Sequence, residues 1–184
     1  MRLHEARTAE LVEMLQRGEL DLLLVALEAP LDGLTTVPLF RDPFVVATPR
    51  AHPLARRKRI RQEELRTEQV LLLADGHCLR EQVLSVCESA GADELGDFGA
   101  SSLATLVQMV VNADGITLLP SLALPVEARA RDLALVQLAK PVPARTIGLA
   151  WRPTSPRAEE FRALGEMLVP AESRRRSGQR ERKA

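Results

Sequence analysis

The chain alternates short apolar runs with amphipathic stretches, and this alternation narrows its possible folds more than any other feature. Residues 20–27 form an apolar run of the kind found in a buried parallel strand. Just before it, residues 6–17 place Leu11, Val12 and Leu15 at helical spacing and are expected to form an amphipathic helix. The pattern predicts further strands at 37–40, 44–48, 69–73, 98–101, 115–119, 133–138 and 147–151. Helices are expected at 79–90, at 103–112 with Ser101 or Ser102 as its cap, and at 159–169 after Pro156. Such alternation implies an α/β fold with mostly parallel sheets. With 184 residues, 46% of them apolar, the chain suffices for one soluble unit or two small subdomains.

No apolar run approaches the ~20 residues needed to cross a bilayer, and no signal-peptide pattern stands at Met1. Two cysteines without a framework suit a reducing compartment, so a cytoplasmic location with no membrane partner is expected. The formal charge is zero but uneven: residues 172–184 carry six cations against Glu172 and Glu181. This tail, at +4 and without a large apolar residue, is expected to be disordered, and it leaves the body at −4. An acidic body argues against this chain alone gripping DNA. A second basic segment, Arg56-Arg57-Lys58-Arg59 with Arg61, is followed by Glu63 and Glu64 and reads as a solvated loop.

The chemistry concentrates around the two cysteines, Cys78 and Cys87, nine positions apart. Along a helix nine residues advance about 13.5 Å and turn roughly 900°, which puts the two side chains on opposite faces. A disulfide needs Cα atoms about 4.4–6.8 Å apart, so pairing requires that helix to unwind. Cys78 sits where the helix begins, after Asp75-Gly76, with His77 adjacent and Arg80 two residues on. A helix N-terminus carries about half a positive charge, so it and these cations can stabilise charge on an attacking sulfur. Arg80 helps only if Cys78 lies at or before the cap, because residues i and i+2 of a helix do not face each other. Cys87 follows Val83, Leu84 and Val86 and precedes Glu88, a setting that favours a neutral thiol. Cys78 therefore reads as the attacking thiol and Cys87 as the resolving one; two buried structural cysteines are the ordinary alternative. His77, Cys78 and Cys87 lack the spacing and number of a zinc site, and His4 and His52 lie far off, so no metal and no cofactor is expected.

The segment Gly76-His77-Cys78-Leu79-Arg80-Glu81-Gln82, followed by Cys87 and Ala90-Gly91-Ala92, resembles the redox segment of the OxyR group, the peroxide-sensing members of the LysR-type transcription regulators. Leu3-His4-Glu5-Ala6 with Thr8 is similar to the second half of that family's first subdomain as it opens, and Gly18-Glu19-Leu20-Asp21 to its "G-x-L-D" before a strand. Ser101-Ser102-Leu103 with Thr105-Leu106, and Gly115-Ile116-Thr117-Leu118-Leu119-Pro120, resemble the helix and strand of the second subdomain. Arg145-Thr146-Ile147-Gly148-Leu149 and Arg152-Pro153 resemble the return crossing. The likeness spans about residues 2–168, and only the Gly-His-Cys-Leu-Arg motif with its second cysteine is specific to the peroxide sensors.

The resemblance implies two Rossmann-like subdomains joined by two crossing strands, near 42–48 and 147–152. Residues 1–41 and 148–171 would form subdomain I, residues 42–147 subdomain II with the cysteines, and residues 172–184 the tail. The family's winged helix-turn-helix, linker helix and first strand and helix of subdomain I have no counterpart here, which would expose a sheet edge near 20–27. The implied role is regulatory rather than enzymatic: hydrogen peroxide oxidises Cys78 to a sulfenic acid, and Cys87 condenses with it. Thr8 would hydrogen-bond the peroxide, with Gly76, His77, Arg80 and Arg145 completing the pocket. Thr8 reads equally as a helix-end hydroxyl, and Arg145 as a surface ion-pair partner. The implied partners are hydrogen peroxide, a dimer or tetramer of the same chain, a thiol reductant such as a glutaredoxin, and DNA only through a domain outside this sequence. Two other readings stay open. One is a LysR-type effector domain binding a small organic anion between the subdomains, at the N-terminus of helix 103–112; the other is a thiol peroxidase that turns over.

Overall fold

The computed structural model describes residues 2–92, 95–112, 115–128 and 132–169, without the side chains of 95–98. The basic tail at 172–184 lies outside the described residues. The chain opens with α1 (Thr8–Gln16), β1 (Leu23–Ala26), β2 (Thr35–Pro49), β3 (Arg59–Ile60) and β4 (Val70–Leu73). Then follow α2 (Cys78–Ala90), β5 (Leu95–Ala100), α3 (Leu103–Asn112), β6 (Thr117–Pro120) and α4 (Leu124–Glu127). It closes with β7 (Leu133–Leu138), β8 (Ala144–Trp151) and α5 (Ala158–Leu168). Two compact units result: Met1–Arg41 together with the chain from Thr146 onward, and Asp42–Arg145. The second boundary falls between Arg145 and Thr146 rather than after residue 147. Thr146 works for the first unit, its N–H donating to Glu28 Oε1 at 2.7 Å and its carbonyl accepting from Leu27 N–H at 2.8 Å.

In the first unit β1 pairs antiparallel with β8, from Leu23 opposite Ala150 to Ala26 opposite Ile147, and β8 in turn borders β2. Alternation along β8 separates two cores. Ala150 joins Leu15, Leu23 and Val25, with Leu11 and Val12 of α1 packed against them, while Leu149 and Trp151 join Phe161 of α5. Gly148 admits no side chain, since a Cβ there would lie 2.6 Å from Leu27 Cδ1 and 2.7 Å from the Val37 carbonyl oxygen. The Arg152 guanidinium donates to the carbonyls of Leu15 and Leu20 and so closes the end of α1. Among the described residues the far edge of β1 has no strand partner.

In the second unit β4 is buried at every position, the pattern of a strand covered on both faces. It pairs parallel with β5 and, through a bridge between Val70 and Ile116, with the stretch that leads into β6. β2 runs antiparallel to β6, with Phe44 opposite Pro120, and antiparallel to β7, with Val46 opposite Val136; β3 is parallel to β7. Helix α2 buries Leu79, Gln82, Val83, Val86, Cys87 and Ala90, a stripe at three- and four-residue spacing, and Leu106, Val107 and Val110 of α3 join the same core.

The sheets depart from the mostly parallel expectation. The pairs β1–β8, β2–β6 and β2–β7 are antiparallel, and β3–β7 and β4–β5 are parallel. Parallel neighbours need a long crossover, usually a helix. α2 supplies one between β4 and β5, whereas β2 and β8 are entered through non-helical segments. The two strands expected at 37–40 and 44–48 are one, β2, and the run at 20–27 narrows to β1. The expected basic loop instead holds a 3-10 turn, Pro53–Arg56, and the short β3. No helix among the described residues is long and apolar enough to cross a membrane.

Candidate redox site

The turn between β4 and α2 sets the position of the first thiol. Gly76 takes φ 84°, a left-handed conformation that glycine adopts without a Cβ penalty, and His77 follows in extended conformation as the N-cap of α2. Cys78 is therefore the first helical residue, half-buried, beside backbone N–H groups that have no partner within the helix. The dipole of α2 points its positive end at that sulfur. No side chain caps this end.

Arg80 holds the turn. Its Nη1 donates to the Leu73 carbonyl at the end of β4 at 2.9 Å, and its Nε pairs with Asp75 Oδ1 at 2.8 Å. Arg145, expected either in the thiol pocket or in a surface ion pair, is engaged in a buried one. Its Nε lies 2.9 Å from Asp42 Oδ2, and that carboxylate, 1% exposed, also accepts the Leu122 N–H at 3.0 Å. Asp42 and Arg145 are the first and last residues of the second unit, so this pair clasps the unit where the chain enters and leaves it. Thr8 belongs to the first unit, as the first residue of α1, half-buried.

The second thiol is built to the opposite specification. Cys87 lies in the last turns of α2, 0% exposed, in the main core. Burial pushes its thiol up to about 11, and the neighbouring Glu88 carboxylate adds to the shift. The helix then closes on Gly91 at φ 71°: Gly91 N–H donates to the Glu88 carbonyl at 2.9 Å and Ala92 N–H to the Cys87 carbonyl at 3.0 Å. Both thiols are free, and one unbroken helix separates them by about 13.5 Å of rise.

Residues 1–172 match the model of the LysR substrate binding domain. The DNA-binding transcriptional dual regulator OxyR of Escherichia coli K12 is 43% identical over 168 residues, covering 91% of this chain and 55% of the relative. The chain belongs to the LysR substrate-binding domain family, as an OxyR-type member. Among solved structures, an H2O2-bound OxyR mutant from Corynebacterium glutamicum superposes with TM-score 0.83 at 35% identity, covering 90% of this chain and 53% of that one. The reduced form of OxyR superposes with TM-score 0.79 at 39% identity, covering 90% of this chain and 78% of that one. The chain spans about half the length of the curated relatives it matches.

Within this OxyR-type domain Gln82 is a residue to which the sequence pattern alone assigns no role. Gln82 occupies a core position of the α2 stripe, four residues after Cys78, and neither its Oε1 nor its Nε2 has a hydrogen-bond partner among the described residues. Residues four apart on a helix are neighbours, so an unmet donor and an unmet acceptor are buried beside the half-exposed thiol. Burying an amide without partners costs about 1–3 kcal/mol. The available signal was a polar residue where the helical period calls for an apolar one. At α3 the expected serine cap is Ser102, whose Oγ accepts the Thr105 N–H at 3.1 Å. That bond uses one of the donors an anion at this helix end would need.

Proposed function

We propose that this chain is the peroxide-sensing regulatory part of a LysR-type transcription regulator, switched by a reversible disulfide between Cys78 and Cys87. The observation that carries the reading is the placement of the two thiols toward opposite ends of one continuous helix, one half-exposed at its first residue and one fully buried near its close. The relatives support the oxidant and the output: one solved OxyR is H2O2-bound, and the curated relative is a DNA-binding regulator.

The Cys78 thiolate attacks one peroxide oxygen, the O–O bond breaks, and the departing hydroxide takes a proton to leave as water. Cys78 is now a sulfenic acid. The Cys87 sulfur attacks it, loses its proton, and the sulfenic hydroxyl leaves as a second water, so two thiols and one peroxide yield one disulfide and two waters. Gly76 and His77 present the attacking sulfur, Arg80 fixes the turn, and the unmet amide of Gln82 offers a donor and an acceptor to the peroxide. A role for Thr8 in holding peroxide rests on the resemblance alone, and Arg145 acts through the clasp with Asp42. Because the disulfide cannot exist within α2, its formation dismantles the helix and alters the surface the second unit offers to another copy of the chain. DNA is reached through a part of the regulator outside these residues, in the cytoplasm, and a glutaredoxin-type dithiol restores the thiols by two exchange steps.

Mass spectrometry of alkylated protein, before and after one equivalent of hydrogen peroxide, tests the reading. The expected result is loss of two alkylation sites and a peptide cross-link between Cys78 and Cys87. Persistence of both free thiols would sink it.

A further inference from the structure

The wall that α2 leans on contains a second, unassigned element. Gln62–Thr67 forms a short 3-10 helix packed against α2. Its first residue, Gln62, reaches across: Nε2 donates to the Val86 carbonyl at 3.0 Å, a part-buried bond between residues 24 positions apart. Val86 is the residue before Cys87. Leu65, three residues after Gln62 and so eclipsed with it on a 3-10 helix, is 0% exposed in the main core. Arg66 lies over Gly91, its Cδ 3.6 Å from where a Cβ would stand. The 3-10 helix is itself fixed: Arg61 N–H donates to Glu64 Oε1 at 2.6 Å, and Arg57 pairs with the other Glu64 oxygen. The start of α2, by contrast, has the exposed Asp75 for its ion pair and no side-chain cap.

We infer that Gln62 is a positioning residue for disulfide formation: its bond to the Val86 carbonyl holds the Cys87 end of the helix and limits how fast Cys87 reaches the Cys78 sulfenic acid. The inference rests on the disulfide reading above and adds a division of labour to it. The reaction of Cys78 with peroxide does not involve Gln62; the condensation, in which the Cys87 sulfur displaces the sulfenic hydroxyl as water, requires that bond to break. Removing the donor therefore speeds the second step alone. It also moves the dithiol–disulfide equilibrium toward the disulfide, because only the reduced helix loses a hydrogen bond.

The test uses the whole chain with Gln62→Met, which keeps the side-chain length and volume and removes the donor, and Gln62→Lys, which keeps a donor. Stopped-flow mixing with hydrogen peroxide gives sulfenic acid formation in a Cys87→Ser background and condensation in chains with both cysteines. The expected result is an unchanged first step, condensation about fivefold faster in Gln62→Met, and an equilibrium against a glutathione buffer shifted by a similar factor toward the disulfide, the effect of one ordinary hydrogen bond. Gln62→Lys should return both values toward the parent chain. Unchanged or slower condensation in a folded Gln62→Met chain overturns the inference and leaves the disulfide reading standing. Equal acceleration of both steps also overturns it, because Gln62 would then act on Cys78. A parent chain that forms no Cys78–Cys87 disulfide overturns both.

Discussion

At its first turn α2 follows a glycine held at φ 84°, lacks a side-chain cap and leaves Cys78 half-exposed; at its far end the N–H groups of Gly91 and Ala92 meet the Glu88 and Cys87 carbonyls, Gln62 grips the Val86 carbonyl and Cys87 is sealed in the core. On the proposed function, the two ends of one helix serve two steps of one reaction. A thiol that must meet a small oxidant has to be reachable and next to positive charge. A resolving thiol must stay neutral and hidden until the first has reacted, or the pair would respond to oxidants without discrimination. On that reading the barrier to condensation lies at the Cys87 end, where the Gln62 bond to the Val86 carbonyl has to be given up.

The largest effect expected from this contrast is in alkylation. At neutral pH iodoacetamide should modify Cys78 at least about a hundredfold faster than Cys87, since a thiol at about 11 is ionised to only roughly one part in ten thousand at pH 7. Peptide mapping over time measures the ratio. Labelling of Cys87 should stay slow until the pH nears that value, and preferential labelling of Cys87 at pH 7 would reverse the assignment of roles.

A smaller effect separates function from packing at the Cys78 end. Gln82→Leu removes two unmet buried groups and should stabilise the reduced chain by about 1–3 kcal/mol in denaturant unfolding, while slowing its reaction with peroxide. A stabilised variant with an unaltered peroxide rate would show that the amide takes no part in the chemistry.

The smallest effect belongs to the caps. Gly91→Ala should cost about 1–2 kcal/mol, the penalty for a side chain in the left-handed region. The Cβ itself would meet Arg66 only at an ordinary 3.6 Å, so the cost is a backbone one. Alkylation of Cys87 should quicken while that of Cys78 stays as it was, and Gly76→Ala should do the converse. Equal changes at both thiols in either variant would mean that α2 opens as one unit and that its ends are not distinct.

Much of this site was legible in the sequence because it is local. A helix over 79–90, its glycine-bearing entry turn and the opposite facing of the two cysteines all follow from spacings of three, four and nine residues. What stayed hidden depends on partners far along the chain. Asp42 meets Arg145 across 103 positions and Gln62 meets Val86 across 24, and no local pattern encodes either contact. The antiparallel pairing of β8 with β1, and of β2 with β6 and β7, was hidden for a related reason. Apolar runs report burial on both faces and are silent on strand direction, which the connecting segments decide. Gln82 was visible as a letter in the motif, but its lack of partners is a property of the packed core.

Amide hydrogen exchange across residues 79–88, in the reduced chain and after stoichiometric hydrogen peroxide, decides whether α2 opens when the disulfide forms. Strong protection is expected in the reduced state and much faster exchange once Cys78 and Cys87 are joined, with no change in a Cys87→Ser chain that stops at the sulfenic acid. A Cys78–Cys87 disulfide confirmed in the same sample, with protection from Leu79 to Glu88 as high as before, would contradict that opening, because an intact α2 cannot bring those sulfurs together.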